Sequence, residues 1–121
     1  DLLAFSRVSR QDHLFEAVDL QKTIQQVLTD LDMLIQQKDA VIEMDALCTV
    51  QGIPLHMTQL FHNLLSNALK FTQPDKQVLV KINSRLLSNA EVAAHPQLQN
   101  GMPYCEIRVL VSHLLMQRRS L

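Results

Sequence analysis

The sequence lacks the features that mark several classes of protein. Its formal net charge is only −1 at pH 7, so no excess of basic side chains is present to bind nucleic acid or an anionic membrane. No apolar run approaches the ~20 residues that a membrane-spanning helix needs, and no signal peptide is visible. With 121 residues, of which 47% are hydrophobic and 19% charged, the chain predicts one globular domain with a modest core.

Cysteine is scarce, and histidine does not cluster. The two cysteines, Cys48 and Cys105, fit no metal spacing and are too few for a disulfide scaffold. Cys105 falls on the apolar side of an alternating segment, so we expect it to be a small core residue. The low cysteine content also predicts a reducing cytosolic compartment. The histidines are scattered, and a metal site built from them is not expected: His13, His56, His62, His95 and His113.

The order of helical and strand patterns predicts an α+β fold. The helical patterns cover 1–10, 20–38 with Asp19 as the N-cap, and a segment that begins at Pro54 and ends before Pro74. The strand patterns cover 13–18, 40–47, 48–51, 77–86 and 104–111, with a polar loop over 88–103. The last two strands are expected to pair antiparallel. Helices on one face of a mostly antiparallel sheet form a two-layer α/β sandwich.

The helix that begins at Pro54 has two rows of residues. An apolar row recurs at i, i+3, i+4, i+7, i+8 and i+11 and is expected to face the core: Met57, Leu60, Phe61, Leu64, Leu65 and Ala68. A polar row occupies an arc of roughly 80° beside it: His56, Gln59, Asn63, Asn67 and Lys70. Carboxamide oxygens can ligate Mg²⁺, and an ammonium group binds phosphate. Spacing alone leaves two interpretations open, an ordinary polar flank and a site for an anion with its cation.

The string NLLSNALKFT, Asn63 to Thr72, resembles the asparagine box of sensor histidine kinases, which belongs to their ATP-binding catalytic domain. Lys70, Phe71 and Thr72 favour the kinases over the chaperone, gyrase and mismatch-repair ATPases of the same GHKL superfamily. The resemblance implies the histidine-kinase ATPase fold and a site for Mg²⁺ and ATP. It implies that Asn63 and Asn67 lie at the phosphates and the metal, with Asn67 as the Mg²⁺ ligand. Lys70 would contact phosphate, Phe71 would support the pocket wall, and Gln59 would lie near the site. His56 is expected to be a bystander.

The chain departs from this family after its last predicted strand. In sensor kinases that strand runs into an Asp-x-Gly-x-Gly box, whose aspartate binds adenine, and an ATP lid follows. Here the counterpart of that strand, Tyr104–Val109, is followed by LVSHLLMQRRSL, and the chain contains only Gly52 and Gly101. The chain also begins at Asp1 without an initiator methionine, so we expect a fragment that matches the N-terminal half of the catalytic domain and is incomplete at its C-terminus.

The resemblance divides the chain into three parts. Residues 1–12, which include LLAFSRV, are expected to be the end of the dimerisation helix and a linker. Residues 13–109 form a partial ATP-binding catalytic domain. Residues 110–121 form a divergent tail that extends the strand or folds into a short helix over the sheet edge.

The expected function follows from these parts. The parent protein would bind Mg·ATP, phosphorylate its own histidine, form a homodimer and pass the phosphoryl group to a response regulator. Its catalytic portion would be cytoplasmic, whether or not the parent is anchored in a membrane. The chain by itself is expected to bind ATP weakly or not at all and to have no kinase activity. The alternative is a non-catalytic, truncated ATPase-like module that acts through protein contacts or self-association, because missing sheet partners would expose apolar surface.

Overall fold

A computed structural model describes residues 2–7, 15–71 and 76–115 of the chain. The strands are β1 (Leu2–Arg7), β2 (Glu16–Asp19), β3 (Val41–Met44), β4 (Thr49–Gly52), β5 (Lys76–Leu86) and β6 (Tyr104–Leu115). The helices are α1 (Leu20–Asp30), α2 (Asp32–Gln37), α3 (Pro54–Lys70) and α4 (Asn89–Ala94).

The described strands form two sheets. The larger has four strands in the order β1-β6-β5-β3, and all its pairs are antiparallel except β3 with β5. The long β5–β6 ladder runs from Lys76 opposite Leu115 to Leu86 opposite Cys105, which confirms the predicted antiparallel pair. The smaller sheet pairs β2 with β4. The predicted α+β class is therefore confirmed.

The core lies between the helices and one face of the larger sheet. Strand β5 alternates, so that Val78, Val80 and Ile82 are at most 1% exposed while Lys81 lies in solvent. The other members of the same buried cluster come mainly from α1, α3 and β6: Leu20, Ile24, Val27, Phe61, Leu65, Leu69, Cys105, Ile107 and Val109. The two-layer arrangement thus follows from a period of two in the strands and of about 3.6 in the helices.

Helix α1 begins where the sequence predicts. The carboxylate of Asp19 accepts hydrogen bonds from the amides of Gln21 (3.0 Å) and Lys22 (3.3 Å), as an N-cap does. The single helix predicted to Lys38 is instead divided at Leu31, whose φ of −94° and ψ of 9° lie outside the helical range. Periodicity did not reveal this break because the apolar spacing continues across it.

The N-terminal segment corrects one prediction. Residues 2–7 form strand β1, not the end of a helix, and they pair antiparallel with β6 from Leu2 opposite Val109 to Arg7 opposite Tyr104. A short apolar run fits both a buried strand and a helix segment, and pairing with the edge of β6 satisfies backbone groups that would otherwise lack partners. The predicted strand over 13–18 begins at Glu16, and residues 8–14 lie outside the described part.

The C-terminal part differs from prediction in two places. The predicted polar loop over 88–103 contains helix α4, which starts with a capping box: the Glu91 amide donates to Ser88 Oγ (3.2 Å), and the Ser88 amide donates to Glu91 Oε1 (2.9 Å). Strand β6 continues to Leu115, so residues 110–115 of the predicted tail extend the strand. Residues 116–121 lie outside the described part.

The two cysteines form a disulfide bond between the β3–β4 loop and β6. Cys105 is fully buried, as predicted, but its interpretation as a simple core residue is incomplete because its sulfur is bonded to Cys48. The partners are 57 residues apart in sequence. Only the tertiary fold brings them together, so their spacing gave no signal.

A cluster of charges joins the end of β5 to α4. The guanidinium group of Arg85 donates two hydrogen bonds to the carboxylate of Glu91, and its Nε donates to Glu106 Oε1 at 3.2 Å. The hydrogen bond from Arg85, supported by the Ser88 amide, lowers the pKa of Glu91 from 4.5 to about 2. Because the folded state favours the ionised carboxylate, this group stabilises the fold fully above about pH 4.5.

Replacing Glu91 by glutamine should therefore lower Tm by an amount that depends on pH. The difference in Tm from the wild-type chain should be constant above about pH 5 and shrink as the pH falls from 4.5 towards 2, where Glu91 becomes protonated. Thermal unfolding followed by circular dichroism across pH 2–7 measures this difference. The exposed carboxylate of Glu16 on β2 provides the matched Glu16→Gln control. A Glu91→Gln difference that stays constant down to pH 2 would contradict the pKa shift.

Candidate functional site

Helix α3 carries all the predicted site residues except Phe71, which immediately follows it. Pro54 occupies the first turn, where its missing N–H leaves no intrahelical bond unmade. The helix ends at Lys70, and the Phe71 amide donates to the Asn67 carbonyl at 3.2 Å. A positive charge in the last turn is favourable there because the carbonyl end of a helix is partially negative. The sequence therefore determines both ends of this helix locally.

The buried face of α3 is rotated relative to the predicted apolar row. Phe61 and Leu65 are 1% exposed and Ala68 is buried, as predicted, whereas Leu60 is 41% exposed. Leu69, absent from the predicted row, is 1% exposed. The core contact thus follows Phe61, Leu65 and Leu69 at intervals of four residues. The spacing of Leu60 fits the apolar row, so the sequence assigned it to the core. Only packing against α1 and the sheet determines that Leu69 is buried and Leu60 is exposed.

The predicted polar row is exposed along its whole length. Gln59, Asn63, Asn67 and Lys70 all lie in solvent on one side of α3, together with His56. Phe71 is 79% exposed at the end of the same helix. From Asn63 to Lys70 the helix rises about 10 Å, so the row is longer than a single small anion can contact.

The structure brings two members of the row into a surface cavity. Gln59 and Asn63 line a depression of about 380 Å³ together with Thr58 and His62. Within the described residues, the lining of this depression does not include Asn67, Lys70 or Phe71. Gln59 and Asn63 thus lie at this depression, and Asn67 and Lys70 are exposed further along the same helix.

Thr58 and His62 were not predicted as site residues. Positions 58, 59, 62 and 63 follow i, i+1, i+4 and i+5, which places them on adjoining parts of one helix surface. That spacing is visible in the sequence and was the signal available. The hydroxyl of Thr58 already donates to the Pro54 carbonyl at 3.0 Å, so it offers a ligand mainly its acceptor capacity.

The donor set of the row suits an anion with a hard cation. The row contains no carboxylate, so nothing in it repels phosphate oxygens. Its carboxamides supply neutral oxygens that hold Mg²⁺ and N–H groups that donate to phosphate, and Lys70 adds one positive charge. Among the described residues, no group of three or more His, Cys, Asp and Glu side chains is placed to hold a metal ion.

The chain is similar in sequence to parts of a phytochrome and of a histidine kinase. No family model matches the chain. It is 37% identical over 71 residues to cyanobacterial phytochrome A from Nostoc sp., covering 59% of this chain and 9% of that protein. It is 30% identical over 112 residues to the signal transduction histidine-protein kinase BarA from Escherichia coli, covering 85% of this chain and 12% of that protein. The chain thus spans about a tenth of the length of the curated relatives that it matches.

Solved structures with a similar fold include those of histidine kinases. The cytoplasmic segment of histidine kinase QseC matches with a TM-score of 0.51 and 14% identity, covering 84% of this chain and 81% of that one. Histidine kinase AdeS from Acinetobacter baumannii matches with a TM-score of 0.54 and 15% identity, covering 91% and 70%. At these identities the likeness concerns the fold alone. Within the described residues, no helix combines the length and the apolar character needed to cross a membrane.

Proposed function

Because this chain is related to sensor histidine kinases in sequence and in fold, we propose that it forms part of the ATP-binding catalytic region of such a kinase. In this proposal the exposed row of α3 is one wall of a Mg·ATP site. The single observation that carries it is that Asn63, Asn67 and Lys70 all face solvent along one side of a helix whose opposite side is anchored in the core. The phosphorelay reaction, the homodimer and the response regulator belong to the longer protein.

Each residue of the row has a distinct role in the proposed site. Asn67 ligates Mg²⁺ through its carboxamide oxygen, and Mg²⁺ completes its octahedral shell with water and phosphate oxygens. Asn63 contacts the metal and the phosphates, and Lys70 neutralises phosphate charge. Gln59 orients water or the metal from within the depression on α3. Phe71, with 79% of its surface exposed, offers an aromatic wall to the nucleotide.

The wall alone binds nucleotide weakly. Its polar groups lie in water, so each hydrogen bond to phosphate replaces one to solvent and contributes only about 0.5–1.5 kcal/mol. The sequence also contains no Asp-x-Gly-x-Gly string to hold adenine. We therefore expect this chain to bind Mg·ATP with a dissociation constant in the millimolar range, equivalent to about 4 kcal/mol, and to have no kinase activity of its own.

Titration of the isotope-labelled chain with Mg·ATP tests the proposal by NMR. The side-chain amide signals of Asn63 and Asn67 should shift together, with a millimolar dissociation constant, and ATP with a chelator should shift them much less. Asn67→Ala should weaken binding further. Asn89→Ala, which changes an exposed asparagine of α4, should not. If the side-chain amide signals of Asn63 and Asn67 do not respond to Mg·ATP, the proposed Mg·ATP site is contradicted. A micromolar dissociation constant would contradict the expectation that this wall alone binds nucleotide weakly.

A non-catalytic module is the second candidate, and exposed apolar side chains favour it. Leu60 is 41% exposed and Phe71 is 79% exposed, both on or beside α3. If these residues mediate self-association, sedimentation velocity should show dimers that the double variant Leu60→Ser, Phe71→Ser converts to monomers. Dimers of this kind, combined with no response of the row to Mg·ATP, would support the module over the nucleotide site.

A further inference from the structure

We propose that the Cys48–Cys105 disulfide is a reversible thiol–disulfide exchange site, and that Cys48 is the sulfur at which low-molecular-weight thiols react. The inference concerns the attachment of the β3–β4 loop to the sheet, and it does not depend on the proposed nucleotide site.

The two sulfurs differ in access. Cys105 is fully buried within β6, where the ladder to β5 and the helices enclose it. Cys48 lies in the loop between β3 and β4 and is only partly buried. Thiol–disulfide exchange needs an approach in line with the bond being broken, so the more accessible of the two cysteines is the one attacked. The structure therefore assigns Cys48 as the entry point.

Neither end of the bond depends on it for its position. The Cys48 amide donates to Ser84 Oγ at 3.0 Å, and the Leu47 amide donates to Gln21 Oε1 at 3.3 Å, so the loop is held to β5 and α1 without the sulfurs. The Asp45 amide adds a bond to the Ile82 carbonyl at 3.0 Å. Cys105 is held by the β5–β6 ladder. These hydrogen bonds should keep Cys48 near Cys105 when the bond opens, even though the loop becomes looser, so the bond can close again without refolding.

The domain has a hydrophobic core of the kind that small disulfide-dense domains lack. Small domains depend on disulfides when their hydrophobic core is insufficient. Here the buried cluster extends over α1, α3, β4, β5 and β6, so we expect the fold to persist when the bond is open. A single disulfide in such a chain is free to change with the redox state of its surroundings.

The exchange proceeds in two balanced steps. The thiolate of a small thiol attacks Cys48 Sγ and forms a mixed disulfide, while the Cys48–Cys105 bond breaks and Cys105 leaves as a thiolate that takes up a proton. A second small thiolate then attacks the small-thiol sulfur of the mixed disulfide, and Cys48 leaves as a thiolate that is protonated. Two small thiols are thereby oxidised to their disulfide, and two electrons reduce the protein bond. The oxidised small thiol reverses both steps.

Opening the bond should loosen one defined segment. Cys48 directly precedes β4, which leads through Ile53 into α3. In the oxidised chain the bond ties this segment to β6 of the sheet layer. In the reduced chain only the hydrogen bonds of the loop remain, so amide hydrogen exchange over 45–53 should rise while β5 and β6 stay protected.

A pair of single variants tests the assignment. After incubation with oxidised glutathione, the Cys105→Ser chain should gain one glutathione at Cys48, whereas the folded Cys48→Ser chain should react at least about tenfold more slowly at Cys105. Mass spectrometry measures the modified fraction, and circular dichroism checks that each variant is folded. Equal rates at the two cysteines, or no reaction at either, would overturn the proposal.

The wild-type chain provides the second measurement, which does not depend on any variant. In glutathione buffers of increasing reducing strength, the bond should open while the far-ultraviolet circular dichroism remains unchanged, and it should close again when the ratio is reversed. Alkylation of the reduced, folded chain should occur first at Cys48. A bond that opens only in denaturant would make this an inert structural link and contradict the proposal.

Discussion

The Leu65→Ala variant is expected to lose about 2–5 kcal/mol of unfolding free energy, a large part of the roughly 5–15 kcal/mol that single domains possess. Leu65 is 1% exposed and packs in the core between α3 and the sheet. Its removal loses the transfer free energy of the buried side chain and leaves a cavity that its neighbours fill only in part. Chemical denaturation followed by circular dichroism measures the change.

The matched variant is Leu60→Ala on the same helix. Leu60 is 41% exposed, so its truncation should lower the free energy of unfolding by only about 1 kcal/mol. Both residues belong to the apolar row that periodicity assigns to the core, so the pair separates the observed face of α3 from the predicted one. Equal losses for the two variants would show that the helix buries the predicted face instead.

Local patterns predicted the elements whose signals are complete within one segment. The N-cap Asp19, the first-turn Pro54 and the alternation of Val78, Val80 and Ile82 each determine a structure that few residues suffice to specify. The exposed row of α3 was predictable for the same reason, because residues four apart on a helix share a face.

The features that the sequence did not predict depend on distant parts of the chain. Residues 2–7 form a strand because β6 offers them an edge about a hundred residues away, and their apolar run contains no sign of that partner. The disulfide likewise needs the β3–β4 loop to lie over β5 before Cys48 can reach Cys105. Helix α4 is different, since its capping residues Ser88 and Glu91 were visible three positions apart and the polar composition of the segment concealed them.

The polar row of α3 is exposed, and three of its side chains are neutral carboxamides. A solvated helix flank normally carries charged side chains of both signs, which interact with each other at i, i+4. On α3 the corresponding positions carry Gln59, Asn63 and Asn67, whose carboxamides gain little from one another in water. These side chains therefore contribute little to the free energy of unfolding, and replacing them should change function without destabilising the fold.

In the proposed site Asn67 ligates Mg²⁺, so Asn67→Ala, introduced into a full-length histidine kinase that carries this segment, is expected to reduce autophosphorylation by about 100-fold or more while leaving Tm nearly unchanged. Loss of groups that merely orient metal ligands typically lowers metal affinity or activity about 10–100-fold, and a direct Mg²⁺ ligand should matter at least as much. Asn67 is exposed, so the truncation creates no cavity. Transfer of labelled phosphate from ATP to the protein's own histidine measures the rate.

The comparison variant for this experiment is Asn89→Ala, which removes an exposed carboxamide from α4 on another part of the fold. It should leave autophosphorylation within about twofold of wild type because surface substitutions away from the site change stability by only about 0.5 kcal/mol. Raising the Mg²⁺ concentration should partly restore the Asn67→Ala rate, since a weakened metal site is filled by mass action. Full activity of the Asn67→Ala kinase would remove this residue from the metal site, and a loss of activity that Mg²⁺ does not restore would point to the phosphate contacts of the row instead.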